Sequence, residues 1–167
     1  MSCASLTFRR PIPEDHDRVM GVIAEWWGGR DLRTLLPRIF FEHFRSASLL
    51  AEHEDQLVGF LVGFDCPDHP GEAFVYFCGV HPGWRRTGLG RDLYRRFCLR
   101  AERMGCTVVR AVTASANTTA VAFHLGLGFT LLPGAHEVDG IPVAREPGPH
   151  GDWLVHFALP LGDGDAR

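Results

Sequence analysis

The sequence predicts an α+β domain built on a mixed, mostly antiparallel central sheet of six to seven strands, with helices on both faces. Three observations lead there. Helical periodicity fills the chain before about residue 45, and three apolar strand-like runs then follow one another across short polar turns. A single strand-helix-strand crossover follows Val80, which requires one parallel pair in a sheet that is otherwise antiparallel. A last apolar run, Trp153 to Leu159, lies beyond a long Gly- and Pro-rich stretch and closes the fold.

Leu6 to Arg10 is a short strand, and Pro13-Glu14-Asp15 opens a helix with proline early and acids in the first turn, where they meet the positive end of the helix dipole. Val19, Val22, Ile23, Trp26 and Trp27 form its buried stripe, and Gly28-Gly29 ends it. A second helical stretch from about Leu32 to Phe44 is interrupted by Pro37. Leu49 to Glu52 and Leu57 to Phe64 pair as a hairpin across His53-Glu54-Asp55-Gln56, and Ala73 to Val80 adds a further strand. Gly88 to Met104 is an amphipathic helix with Leu89, Leu93, Phe97, Ala101 and Met104 on one face. Strand Thr107 to Thr113, helix Asn117 to Leu127 and strand Phe129 to Leu132 come next. Pro133 to Gly151 is a loop with a small excursion around Val138 to Val143.

Composition bounds the function. At 167 residues and 46% apolar content, one domain spanning 1–167 accounts for the chain, and no apolar run is long enough to span a membrane. The N-terminus lacks a basic region followed by an apolar run, so a cytoplasmic location is expected. Cys3, Cys66, Cys78, Cys98 and Cys106 are widely spaced without a C-x-x-C pair, and the histidines form no H-E-x-x-H arrangement; neither a disulfide framework nor a metal site is expected. Every cationic side chain is arginine, yet the net charge is −3, which does not suggest a nucleic-acid partner.

The chemistry concentrates between Val80 and the helix that follows, in His81-Pro82-Gly83-Trp84-Arg85-Arg86-Thr87-Gly88-Leu89-Gly90. A turn of this kind aims successive backbone N–H groups and the positive helix end into one concavity, which suits an anion. Gly88 and Gly90 present no Cβ to an approaching phosphate, and Arg85, Arg86 and Arg91 add charge. A P-loop is excluded because Arg91-Asp92 follows Gly90, and the dinucleotide fingerprint fails at Leu93.

These residues resemble the GNAT superfamily of acyl-CoA-dependent N-acetyltransferases, whose Arg/Gln-x-x-Gly-x-Gly/Ala signature is matched by Arg85-x-x-Gly88-x-Gly90. Asn117 and the run His124-Leu125-Gly126-Leu127-Gly128-Phe129 match a second family element, an asparagine opening the next helix and a Tyr-x-x-x-Gly-Phe ending. The resemblance covers about Leu49 to Leu132. It implies a GNAT-like fold with acetyl-CoA as cosubstrate, its pyrophosphate on the backbone of Thr87, Gly88, Leu89, Gly90 and Arg91. It also implies that Cys78, Gly79 and Val80 pair with the pantetheine arm, eased by a bulge at Gly79, that Asn117 holds the arm or its loop, and that Phe123 packs beside the thioester.

Acyl transfer to an amine needs a neutral nucleophile, donors for the oxyanion and an acid for the thiolate. A backbone amide at Gly79 or Val80 is the candidate for the oxyanion. The family's strand glutamate has no counterpart in Phe74-Val75-Tyr76-Phe77, and Glu72, two residues earlier, is the candidate base. His124 stands where the family places its tyrosine acid. Trp26 and Trp27 are the candidate acceptor-binding residues through cation–π attraction, with Glu25, Asp31 and Glu42 as candidate acidic partners. The expected activity is acetylation of a primary amine, first of a small molecule, with a protein N-terminus or lysine as alternative acceptor. A non-catalytic acyl-CoA sensor is the competing class. Nothing in the sequence excludes a homodimer.

Overall fold

The computed structural model describes residues 5–162. Its strands are β1 (Thr7–Arg9), β2 (Leu49–His53), β3 (Gln56–Asp65), β4 (Glu72–Val80), β5 (Val108–Ala114), β6 (Thr130–Leu131), β7 (His136–Val138), β8 (Ile141–Val143) and β9 (Leu154–Pro160). The helices are α1 (Asp15–Trp26), α2 (Ile39–Glu42), α3 (Leu89–Arg103) and α4 (Thr118–Gly126). One seven-stranded sheet runs β1-β2-β3-β4-β5-β9-β6, and every neighbouring pair in it is antiparallel except β4–β5. No described helix is long and apolar enough to cross a membrane.

Alternation along the central strands sends side chains to two layers. Leu50, Phe60 and Val62 meet Val19, Ile23 and Trp26 of α1 with Leu36 and Phe41 beyond it, while Ala51, Leu61 and Val75 meet Leu89, Leu93, Phe97 and Ala101 of α3. Helices thus cover both faces.

An ionic network fixes the start of the chain. Buried Asp15, in the first turn of α1, accepts the Ile12 N–H at 2.8 Å and both Arg9 guanidinium nitrogens at 2.7 and 2.8 Å. Arg9 and Arg18 also reach Glu52 of β2, so β1, α1 and β2 are tied through four side chains.

Several boundaries differ from the sequence expectation for physical reasons. The stretch from Leu32 to Phe44 is not one helix but a 3₁₀ turn, Arg33–Leu35, followed by α2; Pro37 forbids a continuous ladder, and Leu36 before it takes φ −125° and ψ 71°. The excursion around Val138 to Val143 is a hairpin, β7–β8, turning on Asp139-Gly140 with both residues at positive φ. The hairpin β2–β3 turns without glycine, on Glu54 and Asp55 at φ 49° and 62°.

Candidate active site

The site begins with a disturbance in β4. Val62 pairs with Phe77 but Gly63 with Val75, which leaves Tyr76 as an extra residue against β3. Such a bulge bends its strand and sharpens the local twist. On the other side, β4 and β5 pair from Glu72↔Val108 only as far as Val75↔Ala111, and both strands continue beyond that point without pairing to each other. The sheet therefore splits at Tyr76. The expected bulge at Gly79 is displaced by three residues.

The split opens a cavity of about 370 Å³ that passes between the strands from one face of the sheet to the other. On the α1–α2 face it is lined by Trp27, Leu32, Leu35 and Tyr76; on the α3–α4 face it is lined by Tyr94, Asn117, Ala120 and His124. The exposed edge of β4 supplies backbone donors. The His81 N–H donates to Val58 O, so the strand's period of two turns the Gly79 and Phe77 N–H groups toward β3 and leaves those of Cys78 and Val80 facing the split. Gly79 is thus excluded as the oxyanion donor. Its lack of a side chain has another reason, because an added Cβ would lie 2.6 Å from both the Phe60 and the Trp27 ring.

At the mouth of the split the chain turns through Arg85 to Gly90 into α3. Gly88 caps the helix at φ 95°, a left-handed conformation that disfavours any other residue. The first helical bond is Asp92 N–H to Gly88 O, so the N–H groups of Leu89, Gly90 and Arg91 have no partner within the helix and point outward at its positive end. Arg86 holds φ 62°, and Thr87 anchors the turn by donating its hydroxyl to Trp84 O at 2.6 Å. An added Cβ at Gly90 would stand 3.2 Å from Phe123, so this glycine lets α4 pack against the head of α3. Phe123 belongs to that helix contact, not to the wall of the split.

Arg85 does not project toward an anion. Its guanidinium donates to Trp26 O and to Val80 O, bridging the carbonyl end of α1 to the end of β4. Arg91 reaches Gly126 O at 3.3 Å. Asn117 caps α4, with Oδ1 accepting the Ala120 N–H at 3.1 Å, and it lines the split.

The candidate catalytic and acceptor residues separate. Glu72 sits at the paired end of β4, about 20 Å of strand from Cys78, and its carboxylate is bonded to Arg110 at 2.8 and 3.2 Å, which lowers its pKa. It is outside the split and is withdrawn as a base. Trp26 is 2% exposed and stacks on Phe60 in the core, whereas Trp27 lines the split; only the second tryptophan reaches the acceptor side. Asp31 and Glu42 are paired with Arg33 and Arg38, and neither they nor Glu25 line the split.

His124 lines the split but is 5% exposed, stacked on Phe157 at 4.7 Å between ring centroids. Its Nδ1 lies 2.7 Å from Ala120 O, so this nitrogen carries the hydrogen; its Nε2, 2.8 Å from Tyr94 Oη, accepts the phenol's O–H. Burial lowers the His124 pKa and, with Cys78 and Cys98 nearby, raises that of Tyr94 well above its ordinary value. Tyr94 was masked in the sequence by its place on α3, where it reads as one more core position.

The acceptor side has two further polar residues. Arg30, just after α1, pairs with Asp152 at 3.0 Å, and Thr34 Oγ1 lies 3.1 Å from His150 Nε2. Both contacts draw the segment from Gly148 to Asp152 across the rim of the cavity.

A split mixed sheet, a glycine turn with outward amides and a cavity between strands thus meet at one place in the fold. Residues 10–129 match the acetyltransferase (GNAT) family, and the chain belongs to it. It is 27% identical over 110 residues to an L-2,4-diaminobutyric acid acetyltransferase of Vibrio cholerae, a match covering 66% of this chain and 64% of that protein, just under two thirds of the relative's length. The fold is similar to the diaminobutyrate acetyltransferase of Paenibacillus lautus, in complex with L-2,4-diaminobutyric acid and coenzyme A, with a TM-score of 0.72, 22% identity and coverage of 97% and 99% of the two chains. It is similar also to the ribosomal-protein-S18-alanine N-acetyltransferase of Escherichia coli, at a TM-score of 0.69, 17% identity and 98% coverage of each chain.

Proposed function

We propose that this protein transfers the acetyl group of acetyl-CoA to a primary amine of a small amino acid of the diamino type, by direct attack of the neutral amine on the thioester. The cofactor's pyrophosphate lies on the N–H groups at the head of α3, and its arm takes the edge of β4 that β5 leaves free. The Cys78 and Val80 amides face the space where the thioester carbonyl enters, and one of them receives the oxyanion. A cytoplasmic home, where acetyl-CoA is available, accompanies this reading.

The observation that carries the acceptor class is the Arg30–Asp152 pair at the cavity rim. A guanidinium matches an α-carboxylate and a carboxylate matches an α-ammonium, so a zwitterion replaces the contact these side chains make with each other. The segment they hold narrows the entrance, which favours a free amino acid over a polypeptide. The named substrate of the diaminobutyrate-acetylating relatives has both charges and a second amine to present to the thioester.

The test is acetyl-CoA consumption over L-2,4-diaminobutyrate, ornithine, lysine, simple monoamines and short peptides. Diamino acids are expected to turn over best, with Arg30→Met and Asp152→Asn each raising the acceptor KM about 10-fold, the loss of roughly one exposed charge-assisted contact. Preferential acetylation of peptides overturns the acceptor assignment, and acetyl-CoA binding without turnover of any amine overturns the enzyme reading.

A further inference from the structure

The charged side chains around the cavity are committed elsewhere. Asp152 is paired with Arg30 and His150 with Thr34 at the rim, and Tyr76 donates its hydroxyl to Leu35 O at 2.7 Å. The titratable pair in the wall of the split that is hydrogen-bonded only within itself and to the backbone is Tyr94 with His124. It is built with care for direction. The hydrogen on His124 Nδ1 is fixed by Ala120 O, Nε2 accepts from Tyr94, and the phenol oxygen keeps acceptor capacity beyond its own O–H.

The surroundings keep both groups neutral. His124 is packed against Phe157 of β9, Phe129 after α4 and Phe123 of its own helix. Tyr94 meets Phe123 and Phe129, and the titratable neighbours that face it are Cys78 of β4 and Cys98 of α3. Burial pushes these thiols up to about 12 and about 11, so they add no charge at neutral pH.

We propose that Tyr94, on α3, is the proton-transfer residue of this acetyltransferase and that His124 is its positioning partner, together moving one proton from the amine nitrogen to the sulfur of CoA. The inference rests on the acetyl-transfer reading given above. Attack forms the N–C bond and leaves a cationic nitrogen beside the oxyanion. The N–H bond then breaks toward Tyr94 Oη as the phenol's own proton passes to His124 Nε2. When the C–S bond breaks, sulfur keeps the electron pair and takes the phenol proton, and His124 returns its proton to Tyr94. The products are the amide and the thiol, with tyrosine and histidine restored. The imidazolium exists only between the two steps, because its apolar packing disfavours the charge while the Ala120 carbonyl steadies it.

Steady-state kinetics of the full chain with acetyl-CoA and L-2,4-diaminobutyrate, read as kcat against pH for wild type, Tyr94→Phe and His124→Gln, tests the pair. Tyr94→Phe preserves the ring in the core, and its kcat is expected to fall about 100-fold, the lower range of proton-transfer catalysis, with the acetyl-CoA KM changed less than about 3-fold. In wild type, kcat falls on the acid side as His124 becomes protonated and ceases to accept; the apparent pKa of that limb lies below the ordinary histidine value. Glutamine at 124 can accept from Tyr94 but cannot titrate, so kcat drops and the profile loses the extra acid-side break below the ordinary histidine value that His124 contributes, keeping only the limb set by deprotonation of the amine itself. A purely structural role for His124 leaves that lower break in place. If Tyr94→Phe loses its cooperative unfolding transition, the His124→Gln profile alone decides. Undiminished kcat in a folded Tyr94→Phe, or the break below the ordinary histidine value surviving in His124→Gln, overturns the relay and leaves the acetyltransferase reading standing; a wild-type protein that acetylates no amine overturns both.

Discussion

Gly79→Ala tests whether the aromatic wall of the cavity is as tightly set as its geometry indicates. The new methyl carbon would lie 2.6 Å from Phe60 Cε1 and 2.6 Å from Trp27 Cη2, against an ordinary carbon contact of about 3.5–4.0 Å, so both rings, or the strand between them, must give by about 1 Å. Phe60 is fully buried and stacked against both Trp26 and Phe77, so it resists the shift, and Trp27, half-buried at the cavity wall, is the ring with more room to move. Overpacking of this size costs about 1–3 kcal/mol, which in a chain of this length lowers Tm by roughly 3–10 °C. Because Trp27 faces the acceptor side and the Gly79 N–H faces β3, the acceptor KM should rise about 10-fold while acetyl-CoA affinity changes less than about 3-fold. Differential scanning calorimetry, acceptor kinetics and cofactor titration read the three quantities. The double variant Gly79→Ala with Trp27→Leu, which removes one of the two obstructing rings, should recover part of the lost Tm, the Phe60 contact accounting for the rest. A single variant with wild-type Tm and wild-type acceptor KM would refute the argument, since it would mean that the rings part without cost.

Two further outcomes are expected. Gly88→Ala forces a Cβ into φ 95° with no neighbour within 4 Å, so the strain of about 1–2 kcal/mol falls on the turn itself; isothermal calorimetry should show acetyl-CoA binding weakened by roughly 10-fold or more, and unchanged affinity removes this turn as the anion site. Burial alone would raise the pKa of Asp15, but hydrogen bonds from Arg9, Ile12 N–H and Arg18 outweigh it and hold the pKa at about 2, below the ordinary 3.8. Stability supplied by that carboxylate is therefore complete above about pH 4 and is lost as pH falls toward 2, on the order of 2 kcal/mol; Asp15→Asn should be less stable at neutral pH and flatter across that window in urea titrations, and an equal acid slope in both proteins contradicts the assignment.

Local chemistry made much of the fold legible. The stripe of α3 from Leu89 to Ala101, the crossover after Val80 and the glycine turn at Gly88 each depend on neighbours within a few residues, so spacing was enough to place them. What spacing did not reach was direction and partnership across the sheet. Glu72 shares a strand with Cys78, but only the register with β5 puts it at the paired end beside Arg110. Trp26 and Trp27 are adjacent in sequence and differ by about 100° around a helix, enough to bury one and leave the other at the cavity. Arg85, part of the recognised turn, spends its guanidinium on two backbone carbonyls. Tyr94 was hidden because a buried aromatic on an apolar helix face looks the same whether or not its hydroxyl meets a histidine thirty residues later.

The short parallel seam between β4 and β5 divides the sheet mechanically. Four residue pairs, Glu72 to Val75 with Val108 to Ala111, join an antiparallel block of β1 to β4 to a second block of β5, β9 and β6. At the closed end Gly71 O receives the N–H groups of Thr107 and Val108, and the Glu72–Arg110 ion pair sits beside them. The seam thus acts as the hinge of a clothes-peg whose jaws are the unpaired ends of the two strands, and Glu72 is one of its rivets. A molecule seated between the jaws would join the two blocks over a length at which β4 and β5 make no ladder bond to each other. Its binding should therefore slow amide exchange in β5 and β9 as well as in the strand it touches.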